Sequence, residues 1–231
     1  AQTNRNSTDY GLAPDVADAI AKLKEQKFEM VVPVFNKVED IEKVVEQLKA
    51  NGLLQVCVFI EDVSTDGTKE ILERMVQDGT IAKEQIIFRT VNGKKVRGIN
   101  QYLRQRTDRQ DAYTMVMDAD SLIQSSTDAS PARAILELIN YCQYKNLDAA
   151  TVPVLINTQH TLNPLVWLQY AMLAFSNYMS YLNHIFNQFP FLRGACTIWK
   201  TSALLDVYKN PNHKMDFKTE DVDSTRIAKR N

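Results

Sequence analysis

Short apolar runs alternate with amphipathic segments over the first two thirds of the chain. FEMVVPV (28 to 34) reads as a strand, and in VEDIEKVVEQLKANG the residues Ile41, Val44, Val45 and Leu48 recur at helical spacing before a stop at Gly52. QVCVFI (55 to 60) is the next strand, TKEILERMVQDG the next helix and EQIIFR (84 to 89) a third strand. A helix through KVRGINQYLRQR follows, then the strand AYTMVM (112 to 117), a helix after Pro131 and the strand AATVPVLI (149 to 156). Strands alternating with helices of this length predict repeated βαβ units, hence a mostly parallel sheet covered on both faces. Ligands of such sheets bind beyond the carboxyl ends of the strands. There stand Phe35 and Asn36, Glu61 and Asp62, Arg89 and Thr90, and the segment Asp118 to Asp120.

The pattern changes after Pro164. Leu165, Leu168, Met172, Phe175, Met179, Leu182 and Phe186 line one face of a helix, and Trp167, Tyr170, Tyr178 and Tyr181 mix with amides and hydroxyls on the others. From Ala149 to Leu192 there is no Asp, Glu, Lys or Arg, although charged residues make up 24% of the chain. A bilayer span needs roughly 20 apolar residues, and polar groups interrupt this segment too often for that. Two readings stand open: a helix lying at a membrane interface or partner surface, and one buried in the domain's own core.

Size and charge narrow the classes. A chain of 231 residues fits one domain with a substantial core, and a formal net charge of -1 provides no global field for nucleic acid or an anionic membrane. Cys57, Cys142 and Cys196 are odd in number and widely separated, which favours a reducing compartment over a disulfide framework. Residues 1 to 13 are polar, without the basic and apolar regions of a signal peptide, and read as a mobile arm before a single domain from 14 to 231.

Phosphate-loop, GxGxxG, GxSxG and HExxH motifs are absent. What remains is acidic. In MVMDADS, Asp118 and Asp120 end a strand as paired carboxylates, which suits either a solvated strand end or a divalent cation shared with a diphosphate. In EDVSTDGT (61 to 68), Asp66 and Gly67 supply a bend and Thr68 the helix cap, while Glu61 and Asp62 end an apolar strand where a carboxylate can accept from a uracil imide. NGKKVRGIN sets Lys94, Lys95 and Arg97 at a helix start, where the dipole favours anions; for Lys94 a solvated turn is the simpler account. TEDVDST (219 to 225) opens a helix with acids that serve either as first-turn caps or, beside a hydroxyl, as a general base.

Taken in order, VVPVFN, EDVSTDGT, GKKVRGIN, MVMDADS, RGACTIW and TEDVDST resemble the family-2 glycosyltransferases of the GT-A (nucleotide-diphospho-sugar transferase) fold. They are most similar to the membrane-bound processive polysaccharide synthases of the cellulose, chitin and hyaluronan synthase type. The resemblance implies a nucleotide-sugar half over about 28–121 and an acceptor half over about 149–231. It implies a UDP-sugar donor contacted by Pro33, Phe35, Asn36, Asp62, Lys95 and Asp118, with Asp62 at the base and Lys95 at the diphosphate. Asp118 and Asp120 would hold Mg²⁺ or Mn²⁺, Asp221 would be the catalytic base with Glu220 beside it, and Arg193, Gly194 and Cys196 would meet a saccharide acceptor. The family's Asp-Asp-Gly-Ser turn reads Glu61-Asp62-Val63-Ser64 here. Processive members also carry a Gln-x-x-Arg-Trp motif beyond Thr-Glu-Asp, and the sequence ends at Asn231, so the expectation is either a domain of a longer membrane protein or a chain whose missing part is supplied otherwise. It would work at the cytoplasmic face, with about 164–192 against the membrane or transmembrane segments. A nucleotidyltransferase, disfavoured by the missing Gly-rich loop after the first strand, and a non-catalytic scaffold are the alternatives.

Overall fold

The computed structural model describes residues 13–125, 128–153, 163–185 and 196–209. Its centre is a six-stranded sheet in the order β3-β2-β1-β4-β6-β5. The strands are β1 (Glu29–Val34), β2 (Cys57–Glu61), β3 (Ile86–Phe88), β4 (Tyr113–Met117), β5 (Ala149–Thr151) and β6 (Cys196–Lys200). The first four are parallel, whereas β6 runs antiparallel to both β4 and β5.

Both faces of the sheet are packed, which explains why β1 reads as an unbroken apolar run instead of an alternating one. Met30, Val32 and Val34 point into one core with α1 (Pro14–Glu25), α2 (Ile41–Ala50), α3 (Thr68–Gln77) and α5 (Pro131–Lys145). Val31, with Val58 and Ile60, faces the other core, built by α4 (Lys94–Gln105) and α7 (Thr201–Lys209). The anticipated Gly52 stop is a left-handed residue at φ 71° just beyond α2.

Two expectations need correction. The strand expected over 149 to 156 ends at Thr151 and is antiparallel to its neighbour, so the sheet is mixed on that side. β6 begins within RGACTIW, at Cys196, and lies between β4 and β5, antiparallel to both; its buried residues leave no alternation to betray it. Residues 14 to 25 form a helix, with Pro14 in its first turn and Ala19, Ile20 and Leu23 buried.

The helix after Pro164 is α6 (Pro164–Ile185). Leu165, Leu168, Met172, Phe175 and Met179 of its apolar stripe are all exposed, with Phe175 at 65%. The reading of a core-buried helix is therefore overturned for the described residues. Among them, no helix is long and apolar enough to cross a membrane.

Candidate active site

The crevice opens between β1 and β4, where the strand order turns back on itself. Pairing between these strands runs only as far as Val31 opposite Val116, while β1 continues against β2 to Val34. Val34 turns its carbonyl to the β2 side, accepting from the Asp62 N–H at 3.0 Å. The preceding residue, Pro33, therefore presents its nitrogen toward β4, on the side where pairing has ended and no N–H is needed. Proline thus stops the ladder at the point where a ligand crevice is required.

A cleft of about 170 Å³ occupies this place. Pro33, Phe35 and Lys37 line it from the β1 side, Asp62 from β2, Lys94, Lys95 and Gly98 from α4, and Asp118, Ala119 and Asp120 from β4. Ala119 is 2% exposed and packs into the core, and a tight turn after β4, in which Ser121 N–H donates to the Asp118 carbonyl at 3.0 Å, sets Asp118 and Asp120 at the cleft on either side of it. Lys95 Nζ lies 2.6 Å from Asp118 Oδ1, and Lys37 Nζ lies 2.6 Å from Asp120 Oδ2. Each carboxylate of the pair is thus met by its own ammonium, which removes the repulsion that the sequence posed. The hydrogen bond to Asp120 raises the Lys37 pKa above its ordinary value against the opposing effect of burial.

The β2–α3 turn forms the next wall. Glu61 is fully buried, and its carboxylate accepts from the backbone N–H groups of Val63, at 3.1 Å, and Ser64. These bonds draw the chain through Val63 at φ 63°, a left-handed conformation that costs a β-branched residue about 1–3 kcal/mol. Asp62 is 4% exposed; its carboxylate is ion-paired with the Arg89 guanidinium and accepts from Gly93 N–H at 3.1 Å. A Cβ on Gly93 would stand 2.7 Å from the Arg89 guanidinium nitrogens and 2.9 Å from Arg97 Cβ, so a larger residue would have to displace the guanidinium that pairs with Asp62.

Expected to cap α3, Thr68 is instead a donor: Asp66 Oδ1 accepts from both its N–H, at 3.0 Å, and its hydroxyl. The Asp66 side chain also accepts from Val38 N–H at 3.1 Å, which ties this turn to the loop after β1. Burial acts to raise the Asp66 pKa, but the hydrogen bonds from Thr68 and Val38 outweigh it and hold the carboxyl below its ordinary value. Asn36, at φ 52°, adds to the tie by donating its N–H to Ser64 Oγ and accepting from Thr65 N–H at its Oδ1.

The structure therefore brings together Pro33, Phe35, Asp62, Lys95, Asp118 and Asp120 at one cleft, with Asn36 bracing its rim. Cys196 begins β6 opposite Met117, 8% exposed, and its thiol is pushed up to about 12, first by burial and then by the nearby Asp118. Arg193, Gly194, Glu220 and Asp221 lie outside the described residues. Sequence reading gave no role to Lys37 or Arg89, since a loop lysine and a strand-end arginine ordinarily read as solvated. The signal available was charge balance: Asp62 and Asp120, once drawn to one sheet edge, each require a cation.

A search among curated proteins finds no match. Among solved structures, the fold is similar to the mannosyltransferase PcManGT from Pyrobaculum calidifontis, solved in complex with GDP-Man and Mn²⁺, with a TM-score of 0.54 at 14% identity over 93% of this chain and 60% of that one. It is also similar to S. aureus TarS, with a TM-score of 0.52 at 16% identity over 87% of this chain and 33% of that one. A shorter TarS structure, residues 1–349, matches at 0.52 and 15% identity, with 87% of this chain and 54% of the other covered. At such identities the likeness is one of fold, and this chain spans 60% or less of each neighbour. The sequence pattern of the family described as Glycosyl transferase family 2 matches residues 29–150, more than half of the 231. That stretch contains β1 to β4 and, among the described residues, every one that lines the cleft, and the chain belongs to glycosyl transferase family 2.

Proposed function

We propose that this chain is the catalytic domain of an inverting, metal-dependent transferase that moves a sugar from a UDP-sugar to a growing saccharide at the cytoplasmic face of a membrane. The observation that carries the reading is the meeting of Asp118, Asp120, Lys95 and the start of α4 in one cleft at the carboxyl ends of the parallel strands. A nucleoside diphosphate is the ligand such a site suits, because Lys95 and the α4 N-terminus present positive charge to its phosphates. Lys95 then neutralises charge on the departing diphosphate. Asp221, which matches the Asp of the family's Thr-Glu-Asp, takes the proton from the acceptor hydroxyl in this reading as the hydroxyl attacks the anomeric carbon. A single in-line displacement inverts the configuration there.

Among the described residues no group of three or more His, Cys, Asp or Glu side chains is placed to hold a metal ion. Two carboxylates nevertheless fit Mg²⁺ or Mn²⁺, which keep waters and substrate phosphate oxygens as their other ligands. Asp118 and Asp120 supply hard oxygens at the cleft, each already against a positive charge. When bound, the ion would supply further neutralisation of the diphosphate. The exposed apolar stripe of α6 supports the membrane part of the reading, through residues about 164–192. No nucleic-acid partner enters it.

The test is a panel of UDP-sugars, with GDP-mannose beside them, scored for nucleoside diphosphate release with and without Mn²⁺. Metal-dependent release from a UDP-sugar, lost in Asp120→Ala and Asp221→Asn, is the expected result. Release that ignores metal and both substitutions, or none with any donor, overturns the reading.

A further inference from the structure

Lys37 is not one of the residues that the family resemblance marks, yet its backbone is tied at three points beside the cleft. Its backbone N–H donates to Thr68 Oγ1 at 2.8 Å, and its carbonyl accepts from the N–H groups of Asp40 and Ile41 at 3.1 and 2.9 Å. On one side Asn36 is bonded to Ser64 and Thr65, and on the other Val38 N–H is bonded to Asp66. The root of the side chain is thus fixed to the β2–α3 turn, and its end crosses the crevice from the β1 lip to Asp120 on the β4 lip, 2.6 Å away. The two groups are 31% and 49% exposed, so the pair is reachable by a small ion from solvent.

We infer that Lys37 is a built-in counter-ion of Asp120 that a divalent cation must displace, so that the chain competes with metal for its own carboxylate until the ion arrives. The inference rests on the metal site proposed above. It follows from charge and place. An ammonium within ion-pair distance of Asp120 occupies the carboxylate's favourable cation positions and repels a second cation brought to the same oxygens. Lys95 differs, because it starts from α4 and meets Asp118, the other acid of the pair. Lys37 is therefore a positioning residue, acting on the ion through Asp120, and its expected signature is in metal affinity.

Mn²⁺ binding to the full chain without nucleotide is read from the electron paramagnetic resonance signal of the free ion, for wild type, Lys37→Met, Lys37→Arg and Asp120→Asn. An exposed pair of this kind holds its carboxylate weakly, and the lost repulsion adds to the gain when it is removed, so Lys37→Met is expected to bind Mn²⁺ about tenfold more tightly. Lys37→Arg retains the charge and is expected to stay within about threefold of wild type. Asp120→Asn separates the two ways of failing. If Asp120→Asn weakens binding while Lys37→Met equals wild type or binds more weakly, the competition is refuted and the metal site stands. If Asp120→Asn binds as wild type does, Asp120 is no ligand and both ideas fall.

Discussion

Removing Arg89 tests whether the Asp62 wall of the cleft is held by charge. The Arg89 and Asp62 side chains are 11% and 6% exposed, and the guanidinium is further fixed by donating from Nε to Gln101 Oε1 at 3.1 Å. Arg89→Met keeps much of the stem's volume but leaves the Asp62 carboxylate buried with only Gly93 N–H as a neighbouring donor in this network. Breaking a buried ion pair from one side costs about 3–5 kcal/mol, a large part of the 5–15 kcal/mol typical of a whole domain. For a chain of this size that corresponds to a fall of roughly 6–20 °C in Tm. The double variant Asp62→Asn, Arg89→Met removes both charges, so it is expected to be more stable than the sum of the single losses by about 2 kcal/mol. Urea unfolding followed by circular dichroism on all four proteins measures this. Arg89→Met within 1 kcal/mol of wild type, or strictly additive losses, would refute the argument that the pair is buried and coupled.

Three further outcomes are expected. At Val63 the left-handed φ reverses the usual order, so Val63→Gly should exceed Val63→Ala in stability by about 1 kcal/mol; equal midpoints would mean an unstrained turn. The Asp66 carboxyl, whose pKa is lowered in the fold, stabilises above the ordinary carboxylate pKa of about 4, and this contribution is lost as pH falls through the folded value; Asp66→Asn should flatten that acid limb of the stability–pH curve, and an unchanged limb would count against the bonds from Thr68 and Val38 as its cause. Cosedimentation with phosphatidylcholine vesicles tests α6: each apolar side chain buried contributes about 1.5–3 kcal/mol, so Met172→Asp with Phe175→Asp should cut binding at least tenfold, whereas unaltered binding would remove this face as the contact.

The parallel half of the fold was legible because its strands are short, buried on both faces and separated by amphipathic helices with clear stops. Gly52, Gly67 and Pro131 mark three of those boundaries. β6 was not legible: all its residues but Lys200 are buried, and nothing local distinguishes an antiparallel strand from an apolar loop. For α6 the helix could be read from spacing, but its environment could not, because the same stripe suits a core or a surface. In the site, the acids were readable from their places at strand ends. Their partners were not, since Lys37 lies 83 residues from Asp120 and Arg89 27 residues from Asp62, and only the closed sheet brings each pair together.

The turn after β2 shows how a motif can lose its glycine and keep its shape. The family's Asp-Asp-Gly-Ser places glycine where this chain has Val63, and a valine would ordinarily move the backbone out of the left-handed region. Here Glu61, one methylene longer than aspartate, is fully buried and reaches round to accept from both Val63 and Ser64 N–H groups. Bonds to a charged acceptor contribute about 1.5–3 kcal/mol each, enough together to outweigh the strain at Val63. It is therefore the Glu61 carboxylate, and not a permissive residue, that fixes the turn and with it the direction in which Asp62 faces the cleft. The first acid of this motif then holds structure and the second lines the site. On this argument Glu61→Ala should loosen the turn far more than Glu61→Gln, whose amide oxygen still accepts one of the two bonds. Hydrogen exchange at Val63 and Ser64 would register the difference, and equal protection in both variants would assign the turn's shape to its surroundings instead.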